Sequence, residues 1–378
     1  MQSIVPINNK PTVPVLIVLV LIVGISAYAG RVIDFNYALW AVDYSHGFVR
    51  RGLGGEILGW FLSPPYPLAI LDLLAAAAFV ILALLIGWFF LSRRSFSVEA
   101  ATVILGSGFF LQQLGYDQGK FDVWLLFLLV VALALIQIRR PLVTLLLLGA
   151  VTTIALLMHE GAALIVVPSI VAALWIQPLS VKARLQLTGS YFALALAIFS
   201  AVYIFGSSDM PAEQRYLEAV SLMPFLTPDN DVFNIAVRTL SGNVDWALER
   251  LEGENTPSRM MLNLAASLPF LLLLGISLLQ LWPVSRASVA GAGLVMISML
   301  PLYVLGIDFY RWNALILTLV FVYLAYAGHL LGVRFRIPPS ILIGCCLFSL
   351  WSGPFGVTLA LPERGFLVTW MVDQSLVE

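Results

Sequence analysis

Four polar clusters carry the residue types that chemistry needs. The first runs from Asp43 to Glu56 and holds a carboxylate, the imidazole of His46 and the adjacent guanidiniums of Arg50 and Arg51, then Gly52, Gly54 and Gly55. Arginine's planar fork matches phosphate oxygens, and glycines let backbone N–H groups approach an anion, so this segment suits an anionic group. The competing reading is an interfacial helix whose arginines meet lipid headgroups and whose glycines permit close packing. The second cluster is a short turn with Asp117, Lys120 and Asp122. Its carboxylates suit a sugar hydroxyl, a cation or a simple pairing with Lys120, and Asp122 abuts the apolar run that starts at Val123.

The third cluster, His159-Glu160, has almost no loop around it: Leu156-Leu157-Met158 precede it and Gly161-Ala162-Ala163 follow. Ionisable residues at such depth are costly and usually face an interior or a wet cavity. Such a pair serves proton transfer, metal binding or buried hydrogen bonding; alone it has too few ligands for a metal site. Its carboxylate needs a partner, with His159, Lys120 and Arg311 as candidates. In the fourth, Asp308 and Arg311 sit three apart at a helix start and so share a face. They suit a structural ion pair, or an arginine on a phosphate with the aspartate holding it. Asp72 is a further costly carboxylate inside an apolar run, and His329 reads as structural.

The elements that must position these clusters are apolar spans. Of 378 residues, 61% are hydrophobic and 11% charged, with a mean hydropathy of +0.97; soluble domains carry roughly 25% charged residues. Runs of about 18–25 apolar residues, without ten-residue alternation, indicate an all-α polytopic membrane protein rather than a barrel. About eleven spans are expected, near 13–30, 66–91, 98–115, 121–138, 142–158, 161–176, 187–206, 260–282, 287–306, 312–331 and 338–355. The first reads as an uncleaved helix. The adjacent Cys345 and Cys346 give neither metal spacing nor a disulfide framework.

Charge orients this array. Loops on the N-terminal side hold ten basic residues, from Lys10 through Arg93, Arg94, Arg139, Arg140, Lys182, Arg184, Arg286, Arg334 and Arg336, against the single acid Glu99. Basic loops stay in the cytoplasm. The expectation is therefore a cytoplasmic N-terminus, an outside C-terminus and all four clusters on the outer face. Residues 1–378 read as one integral membrane domain. Residues 31–65 form an outer interfacial loop with aromatic anchors, and residues 207–259 an outer cap loop.

With these features the chain resembles the GT-C class of membrane glycosyltransferases and related bacterial envelope-polysaccharide polymerases. The resemblance covers the whole topology, with the long first outer loop after span one. It rests on Asp34 and Asp43, on Arg50 and Arg51, and on His159-Glu160 and the segment from Asp308 to Trp312. It implies a polyprenyl-phosphate-linked sugar as donor, a glycan or lipid acceptor and membrane lipids as partners, and no nucleic acid. It implies work on the outer face of the bacterial inner membrane. The catalytic base falls on Asp43, with Asp34 second and His159 and Glu160 further catalytic candidates. Arg50, Arg51 and Arg311 would meet the donor phosphate, and His46, Asp117, Lys120, Asp122 and Asp308 the sugar or acceptor. A divalent cation is a candidate companion, although the first loop has no Asp-x-Asp. Two other classes fit the composition: an outer-face acyl- or lipid-group transferase using His46 or His159 as base, and a carrier or flippase for an anionic lipid or solute. Carriers carry mid-membrane charge and internal repeats, and this chain gathers its polarity on one side.

Overall fold

A computed structural model describes residues 34–206, 211–226, 256–305 and 308–352, apart from positions 46 and 139, together with Asp245, Leu248, Glu249 and Pro354. The expected first span, His46, the side chain of Asp34, most of the cap loop and the C-terminal tail lie outside the described residues. Among the described residues all regular structure is helical, apart from one isolated bridge between Phe96 and Phe335.

Among the described residues four helices are long and apolar enough to cross a membrane: α3 (Leu68–Arg93), α7 (Pro141–Met158), α9 (Val181–Phe205) and α14 (Phe309–Leu331). Shorter apolar helices are α6 (Asp122–Leu135), α8 (Ala162–Trp175), α12 (Arg286–Ile297) and α15 (Pro339–Ser352), together with the 267–281 part of α11 (Thr256–Leu281). The count of spans is therefore coarser than the sequence suggests. A 14-residue helix rises only about 21 Å, short of the roughly 30 Å hydrocarbon core. Two expected spans are broken. The run 98–115 becomes α4 (Val98–Leu105) and α5 (Leu111–Tyr116). The run 287–306 becomes α12 and α13 (Leu302–Leu305), with Pro301, which lacks an N–H for a helix ladder, between them.

Helix α14 is the hub. It packs on α3, α8, α11 and α12. Of its most apolar stretch 78% is buried, against 33% for α3 and 22% for α9. A helix apolar all round belongs in the interior. The outer helices instead turn large apolar side chains outward, such as Leu73, Ile81, Leu84 and Trp88 on α3 and Phe192, Leu196 and Ile204 on α9. Apolar surface this extensive is what a lipid-facing bundle presents.

The helix ends sort the charges. At one end lie the starts of α4, α7, α9 and α12. Ser97, Ser180 and Ser285 cap three of them through side-chain bonds to Ala100 N, Ala183 N and Ser288 N, and Pro141 opens α7. Here Phe335 N donates to Ser95 O at 2.7 Å, and Gln280 and Arg336 exchange two bonds of 2.8 Å. His329 Nδ1 stands 3.1 Å from Arg93 O, in keeping with a structural role. The opposite end carries the first loop, with α1 (Asp34–Ala38) and α2 (Gly52–Phe61), and α10 (Ala212–Leu222) from the cap. α2 ends on exposed Trp60 and Phe61.

Candidate functional site

The first loop is stitched to the connections around Gln118, Glu160 and Gly206 and to α10 at its end of the bundle. Asn36 Nδ2 donates to Gln118 O at 2.8 Å, and Trp40 Nε1 to Gly119 O at 2.7 Å. Arg50 N donates to Gly206 O at 3.0 Å, and Tyr66 N to Leu222 O at 2.7 Å. Buried Tyr37, Leu39, Leu58, Phe121, Met158, Ala219 and Met223 share one apolar cluster beneath them. The four clusters separated in sequence thus meet at one end.

They meet as two ion-pair groups. In the first, Arg51 Nε donates to both carboxylate oxygens of Glu160, at 3.1 and 2.8 Å, and Nη2 adds a third bond. The expected partners of Glu160 were His159, Lys120 and Arg311; the structure gives it Arg51. His159 is only adjacent, its Nδ1 3.9 Å from Glu160 Oε2. That nitrogen accepts from Gly161 N at 2.9 Å, which fixes the tautomer with the proton on Nε2. Burial and the Arg51 charge push the His159 imidazole down to about 4. Burial alone would raise Glu160, but Arg51 and His159 hold its carboxyl well below the usual range.

In the second group Arg311 lies between Asp122, 3.3 Å from Nε, and Asp308, 3.0 Å from Nη1. Asp117 and Lys120 pair at 2.8 Å with side chains 3% and 1% exposed, and Gln113 Nε2 donates to Asp117 at 2.6 Å. Burial outweighs Lys120 and raises the Asp117 pKa. The Asp308–Arg311 spacing is therefore the ion pair that helical geometry allows, and the second cluster is buried rather than a solvated turn. Inside α3, Tyr37 Oη donates to Asp72, so the first loop also answers that intramembrane carboxylate.

Two expectations for the first cluster change. Gly52, Gly54 and Gly55 do not form a turn around an anion. They lie in α2, and a Cβ would sit 2.4 Å from the Tyr44 ring, 2.6 Å from Phe121 and 2.3 Å from Val42 O respectively. The packing reading holds for them. Arg50 and Arg51 also part company. Arg51, at φ 67°, caps α2 in the left-handed region and turns to Glu160, whereas Arg50 lies over the Tyr203 ring at 5.9 Å.

Asp43 belongs to neither ion-pair group. It accepts from Ser45 N at 3.0 Å and from Ser45 Oγ, and it lines a cavity of about 260 Å³ between the first loop and α10. Arg215, Glu218 and Ser221 of α10 line the opposite wall. The sequence reading missed Arg215 and Glu218. Their i, i+3 spacing in the cap was the available signal. Among the described residues no group of three or more His, Cys, Asp or Glu side chains converges as metal ligands would.

These features define a helical membrane protein with its polar machinery at one end. The chain belongs to the family described as uncharacterised membrane protein Rv1490, whose model matches residues 12–220. The matched stretch holds Asp43, Arg51, Glu160 and Arg215, and leaves out Asp308 and Arg311. No curated protein and no solved structure matches the chain significantly.

The His159 environment gives a pH prediction. Unfolded, the imidazole takes a proton near pH 6.5; folded, it resists until about 4. Between those values the unfolded chain binds the extra proton, so stability is full above pH 6.5 and falls as pH drops toward 4. The loss is at most about 3–4 kcal/mol, at about 1.4 kcal/mol per unit. Glu160, whose folded pKa is depressed, adds a loss below about pH 4.3, its unfolded value. The melting temperature of purified protein should therefore be flat from pH 8 to 7 and decline from 6.5 to 4.5. His159→Gln should flatten that decline; an unchanged decline would assign it to other groups.

Proposed function

We propose that this protein transfers a sugar from a polyprenyl-phosphate-linked donor to a glycan or lipid acceptor, at the outer face of the cytoplasmic membrane. The observation that carries the reading is Asp43: a carboxylate at the wall of a cavity, at the polar end of a lipid-facing bundle, hydrogen-bonded through the adjacent Ser45. A lipid-phosphate donor keeps its phosphate near the interface, where that end would lie. Asp43 takes the proton of an acceptor hydroxyl. The freed oxygen attacks the anomeric carbon, and the bond to the donor phosphate breaks. Its electron pair leaves with polyprenyl phosphate.

Arg50 is the favoured partner for that phosphate. A phosphate would have to displace Glu160 from Arg51, or Asp122 and Asp308 from Arg311, whereas among the described residues no carboxylate pairs with Arg50. Arg51 and Arg311 then hold the frame of the site, and their role toward the donor is indirect.

The test is reconstitution. Purified protein in liposomes, given polyprenyl-phosphate hexoses and pentoses with a membrane glycolipid extract, should release polyprenyl phosphate together with a labelled glycan. Release no faster than in protein-free liposomes across all donors would sink the reading.

Orientation follows from the basic end. With Cys346 replaced by alanine, Glu213→Cys on α10 should label with an impermeant maleimide in intact cells. Lys182→Cys, at the start of α9, should label only after permeabilisation. The reverse pattern would put the polar end in the cytoplasm.

A further inference from the structure

The cavity beside Asp43 has a second wall whose chemistry the transferase reading does not use. Arg215 and Glu218 sit one helical turn apart on α10, with Ser221 a further turn along. The first loop faces them with Asp43 and Ser45. This is a fixed wall. Tyr66 N binds Leu222 O, Ala219 and Met223 are buried in the cluster that holds Tyr37 and Leu58, and Phe225 meets the Tyr37 ring edge-on at 5.6 Å. The side chains of Asp43 and Ser45 and those of Arg215, Glu218 and Ser221 were brought together by packing from positions 170 or more residues apart.

The charge of the lining decides which ligand fits. Among the described lining residues two carboxylates, Asp43 and Glu218, face the single guanidinium of Arg215, so an anion brought here meets more negative than positive groups on the described walls. A neutral ligand rich in hydroxyls meets what it needs: carboxylates accept its O–H groups, a guanidinium donates to its oxygens, and the serine hydroxyls, whose protons go to Asp43 and to Glu218 O, accept as well. Val42, Val49 and Leu222 supply apolar surface for C–H faces. Arg215 Nε is buried, and among the described residues it has no hydrogen-bond acceptor, which leaves a donor for a ligand oxygen. Buried donors are nearly always satisfied, so one that is not calls for a partner such as a water, an ion or a ligand. The volume, about 260 Å³, falls just below the roughly 300–1,000 Å³ of drug-sized sites, which is room for one small ligand and not for a chain.

We infer that this cavity is a binding site for an uncharged sugar, with Arg215 and Glu218 as its recognition residues. The inference rests on the transferase reading for the ligand's role as acceptor: the sugar would present a hydroxyl to Asp43 while the donor phosphate stays outside, toward Arg50. Binding itself stands apart from transfer and can be measured without it.

The experiment uses the full chain in nanodiscs. Methyl hexopyranosides and methyl pentopyranosides are titrated by saturation-transfer NMR and calorimetry, beside the matching sugar 1-phosphates and inorganic phosphate. At least one neutral glycoside should bind saturably and more tightly than its phosphorylated counterpart. Arg215→Ala should weaken it tenfold or more, as expected for a hydrogen bond to a charged group, Glu218→Gln should weaken it less, and Arg215→Lys should fall between. Melting temperature is followed in parallel. Should Arg215→Ala fail to fold, Ser221→Ala and Arg215→Lys carry the comparison.

Tighter binding of inorganic phosphate or of sugar 1-phosphates would make this an anion site and overturn the inference. So would the absence of any saturable glycoside binding, or unchanged binding in a folded Arg215→Ala. Sugar binding that depends on Arg215 in a protein without transferase activity would keep this site and remove the transferase reading. Transfer whose acceptor KM ignores Arg215 and Glu218 would do the opposite.

Discussion

Removing either half of the Arg51–Glu160 pair is expected to lower the melting temperature by several degrees, and removing both to recover part of the loss. The pair ties the start of α2 to the α7–α8 hairpin across 109 positions of sequence, through three hydrogen bonds. Its side chains are 14% and 26% exposed. Exposed pairs contribute up to about 1 kcal/mol, and breaking a buried one costs 3–5 kcal/mol. A half-buried bidentate pair belongs between them, at about 2 kcal/mol for each single alanine variant. Neither loss is the contribution of the contact alone, because each leaves the other charge unpaired in a desolvated place. The double variant removes that penalty, so the coupling should be on the order of 1–2 kcal/mol.

Arg51 adds a second, independent readout. Its left-handed backbone costs a residue with a side chain about 1–3 kcal/mol. Arg51→Gly relieves that strain while losing the pair, so it should melt above Arg51→Ala. Strict additivity of Arg51→Ala and Glu160→Ala would mean that the two groups do not sense one another, and that something else holds the loop to the hairpin.

Much of this architecture is legible in the sequence because apolar length and charge bias are local signals. The runs read at 142–158, 161–176 and 312–331 become α7, α8 and α14 with shifts of one to three residues. The basic ends are set by Arg93, Arg286 and Arg336, which need no knowledge of the fold. The four polar clusters are visible for the same reason: each interrupts an apolar run. What stays hidden is non-local. No spacing rule joins Arg51 to Glu160 or Arg311 to Asp122, because these distances are set by which helices pack on α14. Gly55 reads as turn chemistry in sequence, yet its constraint is the carbonyl of Val42, thirteen positions away. Arg215 was unremarkable within a long polar segment, and becomes notable only when α10 folds against the first loop.

Asp43→Asn is expected to abolish most turnover and leave the melting temperature unchanged. The backbone N–H and hydroxyl of Ser45 bind Asp43 Oδ1, and an asparagine oxygen accepts from both groups equally well. The loop and the cavity wall therefore survive the change; what is lost is one negative charge and the ability to take a proton. Positioned general bases contribute typically 10²–10⁴-fold, so polyprenyl phosphate release in liposomes should fall by about that factor. The acceptor KM should move far less, because the amide still offers hydrogen bonds. Ser45→Ala is the matched control: it removes one of those bonds and keeps the carboxylate, and a loss below tenfold is expected. Near-normal turnover in a folded Asp43→Asn would dismiss this carboxylate as the base and turn attention to Asp34 or Glu160. Of these, Glu160 is the harder case to make: a carboxylate held by Arg51 and kept far below the usual range is a poor proton acceptor, because a base works best when its pKa lies near the working pH.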